Sequence, residues 1–447
     1  MYDIAVIGSG WGGFNAAHEA ARQGLSVVLI EKDILGGTCL NYGCIPTKTL
    51  VASAAHLYDI RHSSEFGIDI DNLKISFEKI HSRKEAIITR LRQGIEGIIS
   101  VRKINLIYGN AKIVGPAHIA VADTILEAKN IVIASGSRPK NLSNLKFDGQ
   151  HILSSTQLLN LKTIPKSLLI IGGGIIGCEF ASIYAALGVK VTIVEILERI
   201  LITEDKEVSL KLQMLFKKRG VEIFTGKDFS TLDLKQFERV LLSVGRNANV
   251  EDFGLEGAGV QYENNRICVD EYLRTNIANI YAVGDCNGSY QLAHVAAYQG
   301  RLAIENILGK NKKCDLSVVP SCIFTNPEIA SVGLTYDAAR QAGYNMKVGK
   351  FSFLGLAMAH IKGETDGFVK IVANAQNEEV LGAVIFGLGA TELISVLSLA
   401  IKNKLTISNV RQTIFAHPTL SESIYEAIDT FGAVYPVRDS PPLGGRL

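Results

Sequence analysis

Two cysteines near the N-terminus have a spacing suited to thiol redox chemistry. Cys39 and Cys44 stand five positions apart, and Gly43 directly precedes the second. If a helix begins there, the two sulfurs can lie close enough to bond, and helix-terminal amides can stabilise a thiolate. Zinc binding is a competing interpretation, but no second Cys or His pair at ligand spacing follows nearby. Two inert buried thiols are the other. The position directly after a complete strand–helix–strand unit with a glycine-rich turn argues against inert thiols.

His417 is the candidate proton carrier for such chemistry. Glu422 follows it five positions later, where a short turn could bring the carboxylate back to orient the ring. Thiol–disulfide exchange needs a base that makes the attacking thiolate, and imidazole is the side chain that titrates near neutral pH. From spacing alone, a His-Pro loop is more often structural than catalytic. The remaining cysteines stand singly and are interpreted as buried structural thiols: Cys178, Cys268, Cys286, Cys314 and Cys322.

A glycine-rich turn of the same pattern occurs twice and predicts two dinucleotide sites. The first glycine of each turn permits a tight turn, the second lets the backbone approach a pyrophosphate, and the third lets the helix lie close to the strand. The helix N-terminus then offers amides and the positive end of its dipole to the phosphates. The glycines are Gly8, Gly10 and Gly13 in the first turn, and Gly172, Gly174 and Gly177 in the second.

An acidic residue ends the second strand of each unit. Glu31 and Glu195 stand where a carboxylate accepts hydrogen bonds from a ribose diol. Glu195 would repel a 2′-phosphate, and the arginine nearby, Arg199, follows a second acid, Glu198. The second unit is therefore predicted to bind NAD(H) rather than NADP(H). Glycines also serve ordinary strand-to-helix turns, but two complete units with strand, helix and terminal acid favour dinucleotide binding.

The elements around these motifs predict an α/β fold with two Rossmann-like dinucleotide-binding domains and a C-terminal α+β domain. β-branched strands that alternate with helical stretches indicate parallel sheets covered on both faces. Alternating strand patterns mixed with helices after residue 319 indicate an antiparallel α+β domain. A helix is expected near 75–101 and another near 392–403. The predicted bounds are 1–145 and 269–318 for the first dinucleotide-binding domain, 146–268 for the second, and 319–447 for the C-terminal domain.

The composition is that of a globular protein. Of the 447 residues, 47% are hydrophobic and 20% are charged. The net charge is +2 and no basic tract with interleaved aromatics occurs, so we expect no nucleic-acid partner. We see no signal or transit peptide, and Lys166 with three glycines interrupts the apolar run 164–176, so no membrane span is expected. A cytoplasmic protein is expected, and in that reducing compartment a close cysteine pair is a candidate for chemistry.

Together these motifs resemble those of the pyridine nucleotide–disulfide oxidoreductase family, most closely its members that oxidise dihydrolipoamide. The resemblance covers nearly the whole chain, and its most specific parts are residues 37–48 and 417–422. It implies that FAD is held by Gly8, Gly10, Gly13, Glu31, Lys32, Gly37, Thr38, Lys48, Ala111, Ser135, Gly136, Ser137, Asp285, Gln291, Leu292, Ala293 and His294. For NAD(H) it implies Gly172, Gly174, Gly177, Glu179, Glu195 and Gly245.

The resemblance also implies the catalytic roles. Cys44 faces the flavin, Cys39 exchanges with the substrate, and Lys48 lies near flavin N5 and pairs with Glu179. The implied reaction is oxidation of dihydrolipoamide to lipoamide through a Cys39–Cys44 disulfide, with reduction of NAD⁺ to NADH. The substrate would be carried on a lipoyl domain of a 2-oxo acid dehydrogenase or glycine cleavage complex. No metal is implied.

His417, oriented by Glu422, is implied as the acid–base that reaches the active site of the other subunit, so the resemblance implies an obligate homodimer. Two alternatives remain: an NADH-dependent reductase of another small disulfide, and a non-catalytic flavoprotein that serves as an assembly subunit. Two features depart from the family pattern. Trp11 stands in the first glycine turn where a small residue or proline is usual, and the segment 226–239 is too short for the usual β-meander.

Overall fold

The computed structural model describes residues 1–432 and divides into two compact units. The first unit contains Met1–Ile202 and Gln213–Leu316. The second contains Thr203–Leu212 and the chain from Ser317 onward. Both glycine-rich turns and the cysteine pair belong to the first unit, whereas His417 belongs to the second.

The strands of the first unit form two main sheets and two short ribbons. They are β1 (Tyr2–Ile7), β2 (Val27–Glu31), β3 (Asn105–Tyr108), β4 (Ala111–Gly115), β5 (His118–Val121), β6 (Thr124–Ile133), β7 (Ser137–Pro139), β8 (Ile152–Leu153), β9 (Ser167–Ile171), β10 (Lys190–Glu195), β11 (Glu222–Thr225), β12 (Arg239–Leu242), β13 (Arg246–Ala248), β14 (Tyr262–Glu263), β15 (Arg266–Ile267) and β16 (Ile280–Ala282).

The first sheet has the strand order β3-β2-β1-β6-β5-β4, with β16 also paired to β6. Its centre is parallel, as predicted: Ile4 in β1 lies opposite Val27 in β2 and Asn130 in β6. Residues 4–7 of β1, at the centre of the sheet, are all apolar and buried because both faces are covered there. β4 and β5 extend the sheet in the antiparallel sense, which the sequence did not predict.

The second sheet has the order β11-β10-β9-β12-β8, and all four pairs of neighbouring strands are parallel. Between Gly226 and Arg239 the chain forms two 3₁₀ turns, Phe229–Thr231 and Leu234–Gln236, instead of strands. The described segment therefore agrees with the expectation that no β-meander fits there. β7 pairs with β13 and β14 pairs with β15 as short antiparallel ribbons.

Eight helices, α1 to α8, lie between these strands or follow the last of them in the described chain. They are α1 (Trp11–Arg22), α2 (Gly37–Tyr42), α3 (Cys44–Arg61), α4 (Phe77–Val101), α5 (Ser155–Leu159), α6 (Ile175–Ala186), α7 (Lys206–Lys218, which begins in the second unit) and α8 (Ala293–Ile307). Helix α4 confirms the helix predicted near 75–101. Ser76 caps it by accepting a hydrogen bond from the Lys79 amide, so the helix begins one residue later.

The second unit is the antiparallel α+β domain that the sequence predicts. Its sheet has the order β17-β18-β21-β20-β19, and its apolar core packs between the sheet and helices. The strands are β17 (Ser321–Ile323), β18 (Ile329–Gly333), β19 (Met346–Ser352), β20 (Phe368–Asn374) and β21 (Val380–Phe386). The helices are α9 (Tyr336–Gln341), α10 (Ala357–Ile361), α11 (Ala390–Lys402), α12 (Ile407–Arg411) and α13 (Glu422–Asp429). Residues 433–447 of the predicted C-terminal domain lie outside the described chain.

Within residues 1–432, no helix combines the length and the apolar character needed to cross a bilayer.

Candidate active site

The two redox cysteines lie where two helices meet. Cys39 belongs to α2, Gly43 ends that helix, and Cys44 is the first residue of α3. A Cβ atom on Gly43 would lie 3.1 Å from the carbonyl oxygen of Thr38, so a side chain is poorly tolerated at the junction. The break between the helices turns the chain and brings the two side chains into contact.

Both sulfurs are thiols in this structure, and the Cys39 thiol donates a hydrogen bond to the Cys44 sulfur. This hydrogen bond is the largest cause that lowers the pKa of Cys44, to about 7, and the positive charge of Lys48 lowers it further against the effect of burial. The same hydrogen bond, followed by burial, raises the pKa of Cys39. Cys44 is therefore the cysteine of the pair that ionises first, while Cys39 stays a thiol.

Lys48 and Glu179 form an ion pair beside the cysteines. Lys48 lies in α3 one turn beyond Cys44, and its Nζ is 2.8 Å and 2.7 Å from the two carboxylate oxygens of Glu179 in α6. The Glu179 side chain is 4% exposed and that of Lys48 is 29% exposed, so the carboxylate is buried and the lysine is partly buried. The structure thus brings Glu179 to the cysteine pair and Lys48, although Glu179 is 131 positions from Lys48 in sequence.

Trp11 also contacts the cysteine pair. Its indole Nε1 donates a hydrogen bond to Cys39 Sγ at 3.1 Å. The ring of Phe14 meets the indole edge-on, with 6.1 Å between ring centroids. Trp11 is the first residue of α1, and Gly10 before it has ordinary extended dihedral angles (φ −62°, ψ 179°). The large side chain at this position therefore leaves the glycine turn undistorted.

The first and third glycines of each turn are required by the protein itself. A Cβ atom on Gly13 would lie 1.8 Å from the Gly8 carbonyl oxygen, and one on Gly177 would lie 2.1 Å from the Gly172 carbonyl oxygen. Gly8 and Gly172 have φ angles of +97° and +105°, which glycine adopts without strain. Each helix therefore starts in direct contact with the end of its strand.

The middle glycine of each turn is different, because no protein atom occupies the space where its side chain would lie. A Cβ atom on Gly174 would meet nothing within 4 Å, and one on Gly10 would meet only the Gly37 Cα at 4.0 Å. Both residues are helix N-caps without a side-chain hydrogen bond to the first turn. Open space beside uncapped helix amides fits a pyrophosphate at each turn. The residues present therefore fit FAD and NAD(H).

Backbone amides donate hydrogen bonds to both of the predicted ribose-binding acids, in matching positions. Glu31 Oε2 accepts hydrogen bonds from the Ser9 amide and hydroxyl, and Glu195 Oε2 accepts one from the Gly173 amide at 2.6 Å. In each case the other oxygen accepts the amide two residues later. An ionised carboxylate can accept about four hydrogen bonds, so each acid retains capacity for a ribose hydroxyl. Both side chains are buried.

A polar cluster joins two of the predicted flavin-side stretches, residues 135–137 and Asp285. The Ser137 hydroxyl donates to Asp285 Oδ2, and Arg246 donates from Nε to Ser137 Oγ at 2.8 Å and from Nη2 to the Ser137 carbonyl at 2.7 Å. Asn249 donates from Nδ2 to the Ser135 carbonyl at 2.9 Å. Arg246 and Asn249 were missed by the sequence analysis. The available signal was their position just after Gly245: Arg246 begins β13, which pairs with β7, and Asn249 directly follows that strand.

The other predicted cofactor residues are spread over the first unit. Ala111 is buried at the start of β4, Lys32 is exposed after β2, and Thr38 is exposed in α2. Gly37 packs against Gly10, since its Cβ would lie 2.6 Å from the Gly10 Cα. The remainder lie in loops or at the start of α8: Gly136, Gly245, Gln291, Leu292, Ala293 and His294.

His417 and Glu422 form a pair in the second unit. His417 Nδ1 lies 2.8 Å from Glu422 Oε1, and the Thr419 amide donates to Glu422 Oε2 at 2.8 Å. The Thr419 amide, and then His417, lowers the pKa of Glu422. The histidine side chain is 72% exposed, so its other ring nitrogen is accessible to a partner. A carboxylate on Nδ1 favours the tautomer in which Nε2 accepts a proton.

Among residues 1–432 there is no group of three or more His, Cys, Asp or Glu side chains placed to hold a metal ion.

Two sequence profiles of known families match the chain. The profile described as "Pyridine nucleotide-disulphide oxidoreductase" matches residues 2–300, and that of the "Pyridine nucleotide-disulphide oxidoreductase, dimerisation domain" matches residues 319–428. The two matches together take in both glycine-rich turns, the cysteine pair and the His417–Glu422 pair.

The chain is similar to known proteins over almost their whole length. A dihydrolipoyl dehydrogenase of Bacillus subtilis is 40% identical and covers 95% of this chain and 97% of its own. One from Chlamydia pneumoniae is 41% identical, with 94% and 95% covered. Among solved structures, LpdA from Mycobacterium tuberculosis has a TM-score of 0.89 and 30% identity, covering 95% of this chain and 98% of its own. The HOCl-induced flavoprotein disulfide reductase RclA from Escherichia coli has a TM-score of 0.87 and 27% identity, covering 97% and 100%.

Proposed function

Because the chain belongs to the pyridine nucleotide-disulphide oxidoreductase family, we propose that it is an FAD-dependent dihydrolipoyl dehydrogenase, which oxidises dihydrolipoamide to lipoamide and reduces NAD⁺. The observation that carries the proposal is the contact between Cys39 and Cys44 where two helices meet, with the charge of Lys48 lowering the pKa of Cys44. A pair with a lowered thiol pKa can alternate between dithiol and disulfide near neutral pH.

Each of the two dinucleotides binds to its own Rossmann-like domain. FAD binds residues 1–145 and 269–318, with its pyrophosphate at Gly10 and its ribose at Glu31. NAD(H) binds residues 146–268, and Glu195 selects it over NADP(H). The Arg199 guanidinium supports this selection, because it donates to the carbonyls of Leu201 and Ile202. An arginine engaged in this way is poorly placed to hold a 2′-phosphate.

The cysteine pair handles the substrate by two sulfur exchanges. His417 takes a proton from one dihydrolipoamide thiol, and that sulfur bonds to Cys39 as the Cys39–Cys44 disulfide breaks. The electron pair goes to Cys44, whose thiolate the Lys48 charge stabilises. The second substrate thiol then loses its proton as its sulfur closes the lipoamide ring. Cys39 leaves with the electron pair of the mixed disulfide and takes up that proton, so it returns to the thiol form. Bound FAD supplies the two-electron chemistry that links the cysteine pair to NAD⁺.

The functional unit is a homodimer built through residues 319–447, in which His417 of one subunit serves the cysteine pair of the other. The dimerisation-domain match supports this arrangement, and so does the high exposure of the His417 ring. The substrate is carried by a lipoyl domain of a 2-oxo acid dehydrogenase or glycine cleavage complex. The domain-bound form presents the same dithiol as free dihydrolipoamide, so the cysteine pair can react with either.

A second candidate is an NADH-dependent reductase of another small disulfide. The high similarity in fold to the E. coli flavoprotein disulfide reductase supports this second candidate. It would use the same cysteine pair with electrons flowing in the opposite direction. A non-catalytic flavoprotein that serves as an assembly subunit would have no use for the lowered Cys44 pKa or for the buried Lys48–Glu179 pair.

Steady-state rates with purified protein test the proposal. We expect turnover with NAD⁺ and dihydrolipoamide and none with NADPH and glutathione disulfide. Cys44→Ser should abolish this turnover, and Cys268→Ser is the matched control because Cys268 is a partly buried thiol outside both glycine turns and the cysteine pair. Turnover confined to NADPH and glutathione disulfide would refute the proposal, and reduction of a different disulfide by NADH alone would favour the second candidate.

A further inference from the structure

Trp11 is the only tryptophan in the chain, and it makes an unusual contact for a residue in a glycine-rich turn. Such turns act through their backbone, and their side chains usually have no part in redox chemistry. Here the indole N–H points at a sulfur, with 3.1 Å between Nε1 and Cys39 Sγ. Nothing in the dinucleotide-binding role of the turn calls for this contact.

One aromatic ring packs against the indole, and polar contacts hold the Trp11 backbone. The buried Phe14 ring contacts the indole edge-on at an interplanar angle of 62°. Asn15 donates from Nδ2 to the Trp11 carbonyl at 2.8 Å, and Arg301 in turn donates to Asn15 Oδ1 at 2.8 Å. The side chain is nevertheless 37% exposed. The N–H is therefore preorganised toward Cys39 at the surface of the site, where it costs little to keep the donor aligned.

The groups around Cys39 act on its charge in opposite directions. The hydrogen bond to Cys44 and burial both favour the protonated thiol, whereas the Trp11 N–H and the charge of Lys48 favour the thiolate. In the proposed reaction Cys39 must carry negative charge when it leaves the mixed disulfide. A donor aimed at that sulfur stabilises the charge as it develops.

We propose that Trp11 is a catalytic hydrogen-bond donor to Cys39, which stabilises the Cys39 thiolate as the leaving group in lipoamide ring closure and as the nucleophile in the reverse reaction. This inference rests on the proposed function. In ring closure, the bond between the two substrate sulfurs forms and the bond from Cys39 to the substrate breaks, with its electron pair going to Cys39 Sγ. In reverse, the Cys39 thiolate attacks lipoamide and the ring S–S bond breaks.

The test compares the reactivity of Cys39 with and without the indole N–H. The Cys44→Ser holoenzyme retains Cys39 as the single thiol of the pair, and iodoacetamide labelling of its peptide is followed by mass spectrometry against pH. Adding Trp11→Phe, which keeps an aromatic ring against Phe14, should move the labelling midpoint up by about one pH unit. Asn15→Ala, the matched control, removes a neighbouring contact but keeps the indole and should leave the midpoint in place.

Because Trp11 is the sole tryptophan, growth on 5-fluorotryptophan changes this side chain alone. The fluorinated indole is a stronger donor, so it should move the midpoint down, and this arm does not depend on how well Trp11→Phe folds. In the enzyme with both cysteines, Trp11→Phe should lower dihydrolipoamide turnover about tenfold. An unchanged midpoint in Trp11→Phe would overturn the inference. So would midpoint shifts of the same sign in Trp11→Phe and in the 5-fluorotryptophan protein. If the parent enzyme fails to oxidise dihydrolipoamide, the proposed function falls while the labelling midpoints still decide the role of Trp11.

Discussion

Lys48 Nζ lies 2.7 Å from a carboxylate oxygen of Glu179, and this ion pair joins the helix that begins at Cys44 to the helix of the second glycine turn. The two charges have opposite effects on Cys44. Lys48 lowers the pKa of that thiol and Glu179 raises it, and the effect of Lys48 is the larger of the two. The pair therefore sets the thiolate content of the site while it joins two helices that are far apart in sequence.

Replacing Lys48 by methionine should change both properties. We expect Lys48→Met to raise the pKa of Cys44 above about 7, since the favourable charge is lost and the Glu179 charge stays. Removal of one partner of a buried pair should also destabilise the fold, by about 3 kcal/mol. The ultraviolet absorbance of the thiolate against pH measures the first effect, and urea unfolding measures the second. The double variant Lys48→Met/Glu179→Gln should recover part of each loss, and a Cys44 pKa at or below the parent value in Lys48→Met would contradict this account.

The hydrogen bond from Cys39 should matter more for the Cys44 pKa than either charge. It is the largest cause of the lowered value, so Cys39→Ala should raise the pKa of Cys44. Cys39→Ser is the matched variant, because its hydroxyl can still donate to the thiolate, and it should leave the pKa close to about 7. The fraction of Cys44 in the reactive thiolate form falls as the pH drops through this pKa, so the alanine variant should lose thiolate at pH 7 and the serine variant should keep about half. Equal titration curves for the two variants would show that the lowered pKa has another origin.

The parts of the site that the sequence predicts are those that depend on local geometry. A glycine turn needs particular residues at fixed positions because the strand, the turn and the helix are consecutive. The Cys39–Cys44 spacing likewise spans a single junction between α2 and α3. The terminal acids follow from the same β-α-β unit. Each of these features can be derived without knowing how the rest of the chain folds.

Contacts between distant segments could not be derived in this way. Arg246 reaches Ser137 across 109 positions, and Ser137 reaches Asp285 across 148. Their meeting depends on β7 and β13 pairing as a ribbon, and both strands are only three residues long, too short for a clear pattern. Trp11 stood out as a departure from the family pattern, but its partner Cys39 depends on the direction of the indole, which spacing does not determine.

His417 should be needed for sulfur exchange but not for the flavin itself. We expect His417→Gln to lower turnover with NAD⁺ and dihydrolipoamide by about 10²- to 10⁴-fold, the usual contribution of a general acid–base. Glu422→Gln should have a smaller effect, about tenfold, because the ring keeps a hydrogen-bond partner at Nδ1 while its charge is lost. NADH oxidation by an artificial acceptor that takes electrons directly from the flavin is the control, and it should stay at the parent rate in both variants. Full dihydrolipoamide turnover in His417→Gln would assign the proton transfer to another group.

The first glycine turn offers a test that separates folding from cofactor binding. Gly13→Ala places a Cβ 1.8 Å from the Gly8 carbonyl oxygen, so the FAD-free protein should be destabilised by about 3 kcal/mol or more. Gly10→Ala meets no protein atom closer than 4.0 Å, and its φ of −62° suits alanine. The FAD-free protein should therefore be unchanged or slightly stabilised by this substitution. FAD titration should nevertheless show affinity weakened about tenfold or more, since the added methyl group occupies the space left for the pyrophosphate.

The second turn should repeat this contrast for NAD(H), because it is built in the same way. A Cβ on Gly177 would lie 2.1 Å from the Gly172 carbonyl oxygen, whereas one on Gly174 would meet nothing within 4 Å. Gly177→Ala should therefore lower the unfolding midpoint of the holoenzyme, whereas Gly174→Ala should keep that midpoint and raise the KM for NAD⁺. The KM for dihydrolipoamide in Gly174→Ala is the internal control and should not change. If Gly174→Ala bound NAD⁺ normally, the open space beside the helix would have no part in phosphate binding, and the assignment of the nucleotide to this turn would have to be abandoned.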